Sequence, residues 1–306
     1  MQREPCPALA PFVSLLWASD HPAEPIEART RGNRWEQSDL HAALVVEHVL
    51  PTGFTHVVFR SAEGAGVRVV DRSNCRSEGT VLPSAVVGGP RSHFYARQAT
   101  PAHRSAGMLL RPGAMRGLLG VPAHAVAGQH VALADLWGER AVDAQGELMA
   151  IADPAQRLMR LEGILLERLG AVWGVDSVAR AVVPQPPLHA AVLQAVRGLA
   201  DASRVSPWVQ DMSHRHFIQL FRDAVGLTPK AFARVQRVRT ALRVAAQPGF
   251  VLAQVAVAAG YADQAHFQRD VREIAGVSPA RLLQLAPGGG SHVPVPAGQI
   301  CSRQKR

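Results

Sequence analysis

No run of about eighteen uninterrupted apolar residues occurs in this 306-residue chain, so no segment has the length that a membrane-spanning helix requires. Cysteine is scarce. Cys6, Cys75 and Cys301 are too few and too far apart to frame disulfides or a paired-cysteine zinc site, and free thiols in a reducing compartment are the favoured reading. The opening stretch MQREPCPALAPFVSLLWASD has one early arginine followed at once by Glu4, its apolar part is broken by prolines, and it lacks a convincing cleavage site, so it reads as the start of a folded domain in the cytoplasm. A P-loop, a GxSxG elbow and a dinucleotide fingerprint are also missing. His41, His48, His56, His93 and His103 fall at spacings that match no metal motif, and scattered surface histidines are favoured over a metal-centred enzyme. We therefore expect no catalytic residue, no metal and no cofactor.

What the chain does have is a local excess of positive charge. Residues 1–187 carry 18 basic and 18 acidic side chains, residues 188–286 carry 12 and 6, and residues 287–306 carry 3 and none. Basic character confined to the C-terminal third favours a polyanionic partner, because each neutralised phosphate releases condensed counterions. The length suits two domains, each able to bury its own core. The proline-rich VVPQPPLH segment supplies a boundary, since proline cannot continue a helix. We expect a domain over 1–181, a linker over 182–187, a second domain over 188–286, and a disordered basic tail over 287–306 whose glycine- and proline-rich composition buries too little surface to offset chain entropy.

The first half reads as strands and then helices. ALVVEHVLP, THVVFRSA, GVRVVD, SAVVGG and SAGMLLRP are short Val-, Leu- and Phe-rich runs bounded by Gly, Pro and Asp, as in a β-sandwich or barrel. Asp153–Pro154 then starts a helix with Leu158, Leu161, Leu165 and Leu169 on one face, widened by Ile164 and Leu166. That stripe serves either the domain's own core or pairing with a second chain, and both uses stay open. Trp17, Trp35, Trp137 and Trp173 suit a small-molecule pocket or a core, the core being favoured.

Local signals sharpen after the linker. Leu188–Leu199 is a short amphipathic helix. Ser213 opens HRHFIQLFRDAV with Phe217, Leu220 and Phe221 inward, and Thr228–Pro229 opens KAFARVQRVRTALRVAAQ with Phe232, Val235, Val238 and Leu242 inward. VLAQVAVAAGYADQAHFQRDVREIAGVSP then has the form of a helix-turn-helix. Ala256 permits close crossing, Gly260 takes the turn, Asp263 opens the second helix, and Phe267, Val271 and Ile274 with Tyr261 form its buried side.

The segments AQVAVAAGYADQAHFQRDVREIAGVSP and SHRHFIQLFRDAVGLTPKAF resemble the AraC/XylS family of transcription regulators, with the likeness covering roughly residues 188–285. PFVSLLW, VLPTGFTHVVF and MLLRPGAMRGLLGVP also look like the N-terminal domain of a branch of that family. The resemblance implies an α+β chain: a β-rich, sensor-like N-terminal domain with helices, then an all-α domain with two helix-turn-helix units joined by a long helix. It implies sequence-specific binding to double-stranded promoter DNA. It assigns His214, Arg215, His216, Gln219 and Arg222 to the first recognition helix, and Gln264, Ala265, His266, Gln268, Arg269 and Arg272 to the second. Gln and Arg match adenine and guanine edges, while arginines also hold phosphates. Three departures stand out: Pro207 interrupts the first helix of the first unit, Gln219 stands where the family often has Arg, and Val271 where it commonly has Phe. The remaining partners expected are a small-molecule effector or a protein contact for the N-terminal domain, RNA polymerase, and a second copy of the chain.

Overall fold

Strands form where Val, Leu and Phe alternate between two surfaces. The computed structural model describes residues 1–21, 46–61, 67–70, 79–98, 103–173, 188–200, 212–246, 251–285 and 292–295. The strands are β1 (Gln2–Arg3), β2 (Val13–His21), β3 (Val46–Val49), β4 (His56–Arg60), β5 (Arg68–Val70), β6 (Thr80–Val81), β7 (Ala85–Gly88), β8 (Tyr95–Gln98), β9 (His103–Leu110), β10 (His130–Ala132) and β11 (His292–Val295). They pair antiparallel into two sheets, in the orders β1-β2-β9-β4-β7-β10 and β11-β3-β8-β5-β6. The five strands expected from sequence are β3, β4, β5, β7 and β9. The longest, β2, was not anticipated.

Alternation sorts the first sheet's faces. Val57 and Phe59, Val87, and Ala106, Met108 and Leu110 point to one side and join a single core. Helices α1 (Ala114–Leu119), α2 (Ala134–Trp137), α3 (Arg140–Ala150) and α4 (Pro154–Trp173) supply its other wall. Asp153 caps α4 as expected, its carboxylate accepting the Ala155 N–H at 3.0 Å. Leu158, Leu161, Ile164, Leu165 and Leu169 are all buried against α1, α3, β2 and β9, which contributes about 1.5–3 kcal/mol per side chain. The buried leucine stripe therefore serves the domain's own core. Trp137 is core too, its indole N–H donating to the Leu118 carbonyl at 2.9 Å. Beside this core Arg157 is wholly buried and fully engaged, with donors to Asp20 at 2.9 Å and to the carbonyls of Ile151, Ala152 and Ser105.

The helical part comprises α5 (Ala190–Ala200), α6 (His214–Val225), α7 (Pro229–Ala245), α8 (Leu252–Ala258), α9 (Gln264–Ala275) and α10 (Pro279–Leu285). It builds two cores. Val192, Ala195 and Leu199 meet Phe217, Phe221, Val225 and Phe232 in one. Val238, Leu242, Val255, Tyr261, Phe267, Val271, Ile274 and Leu282 form the other. Val271, in place of the bulkier Phe, is completely buried there. The proposed linker and the Pro207 segment lie outside the described residues.

One expectation is corrected. The tail is not wholly without structure: His292–Val295 forms the edge strand β11, paired antiparallel with β3. Val293 and Val295, two residues apart, fall on one face and are buried in the core of the second helix-turn-helix unit. Two valines give too little periodicity to register in a Gly/Pro-rich stretch. A waiting sheet edge and the flank of α10 give them a place to bury.

Candidate nucleic-acid interface

The two helical units repeat one local design fifty residues apart. Ser213 and Asp263 cap α6 and α9, accepting the N–H of His216 at 3.3 Å and of His266 at 2.6 Å. Gly226 and Gly276 end the same helices with φ of +85° and +78°, the left-handed conformation that glycine adopts without steric cost. Thr228 and Ser278, each followed by proline, then open α7 and α10, Thr228 accepting the Ala231 N–H at 3.2 Å. Each pair of caps fixes the ends of a twelve-residue helix, so its exposed face has a defined start and length.

On α6, Phe217, Phe221 and Val225 face inward, and His214, Arg215, His216, Gln219 and Arg222 are exposed. On α9, Phe267, Asp270, Val271, Ile274 and Ala275 face inward; Gln264, Ala265, Arg269 and Arg272 are exposed, and His266 and Gln268 half-buried. The structure thus brings the eleven sequence-derived positions onto two faces. Two of them are already engaged. The Gln219 amide donates to Asp223 at 3.1 Å. His266 lies edge-on to Tyr261 at 5.2 Å, with Nε2 3.9 Å from Asp270. By contrast, Arg215, Arg222, Arg269 and Arg272 make no ion pair among the described residues.

Sequence reasoning missed what holds these helices in place. Arg234 of α7 donates to Asp270 at 2.8 and 3.1 Å and also grips Glu273. Arg237 stacks over Tyr261 at 5.2 Å and approaches Asp270 at 3.9 Å. Asp270 is 5 % exposed, so these arginines compensate a carboxylate placed almost out of water. The Arg234 hydrogen bond, followed by one from His93, holds the Glu273 carboxyl down to about 2, and Arg234 is raised in turn, chiefly by Glu273 and then by Asp270. Periodicity alone places Arg234 off the buried stripe of Phe232, Val235, Val238 and Leu242 and says nothing of its partners. An acidic pair at i and i+3 on a helix rich in outward arginines was the available signal.

The β-rich part grips both units as well. The Gly113 N–H donates to the Ala224 carbonyl at 2.9 Å, and Arg116 and His124 reach Asp223 at 3.4 and 2.9 Å. Gln236 and Arg239 of α7 donate to the Thr52 carbonyl at 2.9 and 3.1 Å. At α9, the Phe94 N–H donates to the Ile274 carbonyl at 2.8 Å, His48 Nδ1 to that of Ala275 at 3.0 Å, and His93 meets Glu273 at 3.2 Å. A Cβ on Gly226 would stand 2.2 Å from Pro90, and one on Gly276 2.4 Å from Phe94. The single loop between β7 and β8, residues 89–94, therefore touches the ends of both exposed helices.

The histidines weighed as metal ligands go separate ways. His48 bonds to Ala275, His93 meets Glu273, and His56 packs over Gly88. Among the described residues no group of three or more His, Cys, Asp or Glu side chains is placed to hold a metal ion, and no helix is long and apolar enough to cross a membrane.

Residues 210–284 match the model of a helix-turn-helix domain family, and residues 1–132 match a domain of unknown function, DUF6597. Among solved structures, ToxT from Vibrio cholerae is similar at 10% identity with a TM-score of 0.42, covering 77% of this chain and 91% of that one. ToxT from strain SCE256 of the same organism with unsaturated fatty acid bound is similar at 12% identity, TM-score 0.39, covering 87% and 92%. No curated protein matches the chain.

Proposed function

We propose that this chain, a DNA-binding transcription regulator with an AraC-type helix-turn-helix domain at its C-terminus, lays α6 and α9 into successive major-groove segments of a promoter. The observation that carries this reading is the pair of similarly capped helices whose outward arginines make no ion pair among the described residues and whose C-terminal ends are held by the same loop. Arg215, Arg222, Arg269 and Arg272 would contact phosphate or guanine, and Gln264 and Gln268 adenine edges. His214, His216 and Ala265 complete the two faces. His266 and Gln219 act first on their own helices, through Tyr261 and Asp223, so the sharper base reading belongs to α9.

In this reading residues 1–181 set the geometry of residues 188–286, and an effector acts by favouring one arrangement of the two units. RNA polymerase and a neighbouring copy on adjacent DNA are the further partners in this reading. Selection of bound duplexes from a random library, at fixed salt, tests the core of the proposal. Wild-type protein should enrich one motif, and the Gln264→Ala, Arg269→Ala pair should blur one half of it. Enrichment that survives this pair unchanged would remove α9 from base reading.

A further inference from the structure

The other face of the first sheet is polar, unlike the helix-covered one. His56, Val58 and Arg60 of β4 alternate with the core residues Val57 and Phe59. Gly88 pairs with both His56 and His130, so these three lie side by side on β4, β7 and β10. Glycine is required there, because a Cβ on Gly88 would stand 2.2 Å from His56 Nε2. From the second sheet Tyr95 packs edge-on to His130 at 4.6 Å, Arg91 lies over the Tyr95 ring at 5.0 Å, and Arg97 pairs with Glu47 at 2.7 Å. His56 is half-buried on this face.

Several donors gathered here are buried and unmet among the described residues. Arg60 is 8 % exposed, and its Nη1 has no partner among the described residues; neither do Arg91 Nε and His130 Nε2. The tautomer of His130 follows from its neighbour: Arg91 Nη2 donates to Nδ1 at 3.0 Å, so neutral His130 carries its proton on the unpartnered Nε2. Burial, then Arg91, His56 and Arg60, push His130 down to about 3, and burial, then Arg60 and Arg91, push His56 down to about 4. Burial likewise lowers Arg60 to about 10. A buried donor left unmade is costly, and a buried unpaired cation more so. Arg157, also buried, has all its donors met, so this fold can satisfy an arginine, yet Arg60 Nη1 finds no partner among the described residues.

We propose that Arg60, Arg91 and His130 form a site for a small organic oxyanion, a carboxylate or phosphate head, whose occupancy is transmitted to both helix-turn-helix units. Tyr95 and Trp17, whose ring lies over Gly107 at the register position of Val58, add aromatic surface beside these donors. Transmission runs through the loop that carries Arg91. Pro90 bears on Gly226 of the first unit, while His93 and Phe94 hold Glu273, Ile274 and Gly276 of the second. An anion that draws Arg91 inward repositions the one segment touching both recognition helices. The inference rests on the reading of residues 1–181 as regulatory, and it names the chemistry of what they sense.

The full chain is tested by thermal shift with acetate, benzoate and inorganic phosphate, with benzamide as the neutral control, and by Arg60→Met. At least one anion should raise Tm by several degrees, benzamide should not, and the shift should vanish in Arg60→Met; the anion that acts tells carboxylate from phosphate. Without ligand, Arg60→Met should melt higher than wild type, because it removes an unpaired buried charge. A lower Tm for the unliganded variant, equal shifts from benzoate and benzamide, or no shift from any anion overturns the site. A Tm shift unaccompanied by a change in affinity for the selected duplex overturns the transmission. Because Tm is read without DNA, failure of the promoter-binding proposal leaves this result interpretable.

Discussion

The two helix-turn-helix units share caps and spacing but are anchored by different physics. In the first, Asp223 gathers Gln219, Arg116 and His124 at a partly exposed site, and Arg116 keeps 54% of its side-chain surface in water. In the second, Asp270 is buried and Arg234 and Arg237 of the connecting helix close over it. An exposed ion pair contributes little and weakens with salt, whereas breaking a buried pair strands a charge. Helix α9 is thus fixed to its own domain, and α6 owes more of its placement to the β-rich part. That contrast makes the first unit the one a conformational change moves more readily.

Removing one anchor from each unit should expose the difference most plainly. Arg234→Ala is expected to cost about 3 kcal/mol in chemical denaturation, because Asp270 loses its main partner. Arg116→Ala should cost under about 1 kcal/mol. Comparable losses would mean that the second anchor is no stronger than the first.

The glycine ends come next. Gly276→Ala meets both a positive φ and Phe94 at 2.4 Å, so about 2 kcal/mol should be lost, combining backbone strain with displacement of the aromatic ring. Gly120 has the same φ of +78° with open space around it, and Gly120→Ala should cost only about 1 kcal/mol. Equal melting temperatures for the two variants would show that Phe94 yields freely and does not clamp α9.

Caps should have smaller effects still. Asp263→Ala loses a 2.6 Å bond to a backbone N–H and a negative charge at a helix N-terminus, for about 1 kcal/mol, and Ser213→Ala somewhat less because its bond is neutral and 3.3 Å long. Hydrogen exchange of the first turns of α9 and α6 reads each cap separately.

The smallest effect is a pH dependence. Glu273 is held at about 2 against an ordinary 4.5, so its stabilisation is complete above pH 4.5 and fades as pH falls toward 2. Half of the side chain is exposed, so solvent screening limits the gain. Glu273→Gln should flatten the acid limb of a Tm-against-pH curve for α9 and leave α6 unchanged. An unaltered limb would assign the acid sensitivity to other groups.

How much was legible in the sequence can be judged from single elements. Ser213, Thr228, Asp263 and Ser278 were readable as helix starts because an N-cap acts within four residues, and Gly260 as a turn for the same reason. Five strands were readable from Val-rich runs bounded by turn residues. β2 was not, since the register shifts between Val13 and Leu15 and the run PFVSLLW shows no clean alternation. β8 was hidden by inversion: Tyr95 and Arg97 turn into the sandwich, so a strand with two polar residues in four carries no apolar face. The outward positions of Arg215, Gln219, Arg222, Gln264, Gln268 and Arg269 followed from helical periodicity and Gln219 to Asp223 is a local pair, but the approach of Arg116 and His124 to Asp223 was not legible, because they lie about a hundred residues away.

By itself, then, the sequence determined where helices begin and end, which faces are apolar, and that a basic, twice-repeated helical domain follows a β-rich one. These depend on interactions between residues a few positions apart. Only the tertiary structure decided that one loop touches both α6 and α9, that two valines of the tail complete a sheet edge, and that Arg60 Nη1 is buried without a partner among the described residues while Arg157 is satisfied. Each of those depends on burial and on groups distant in sequence. Local pattern carries no information about which distant donor finds an acceptor, or fails to.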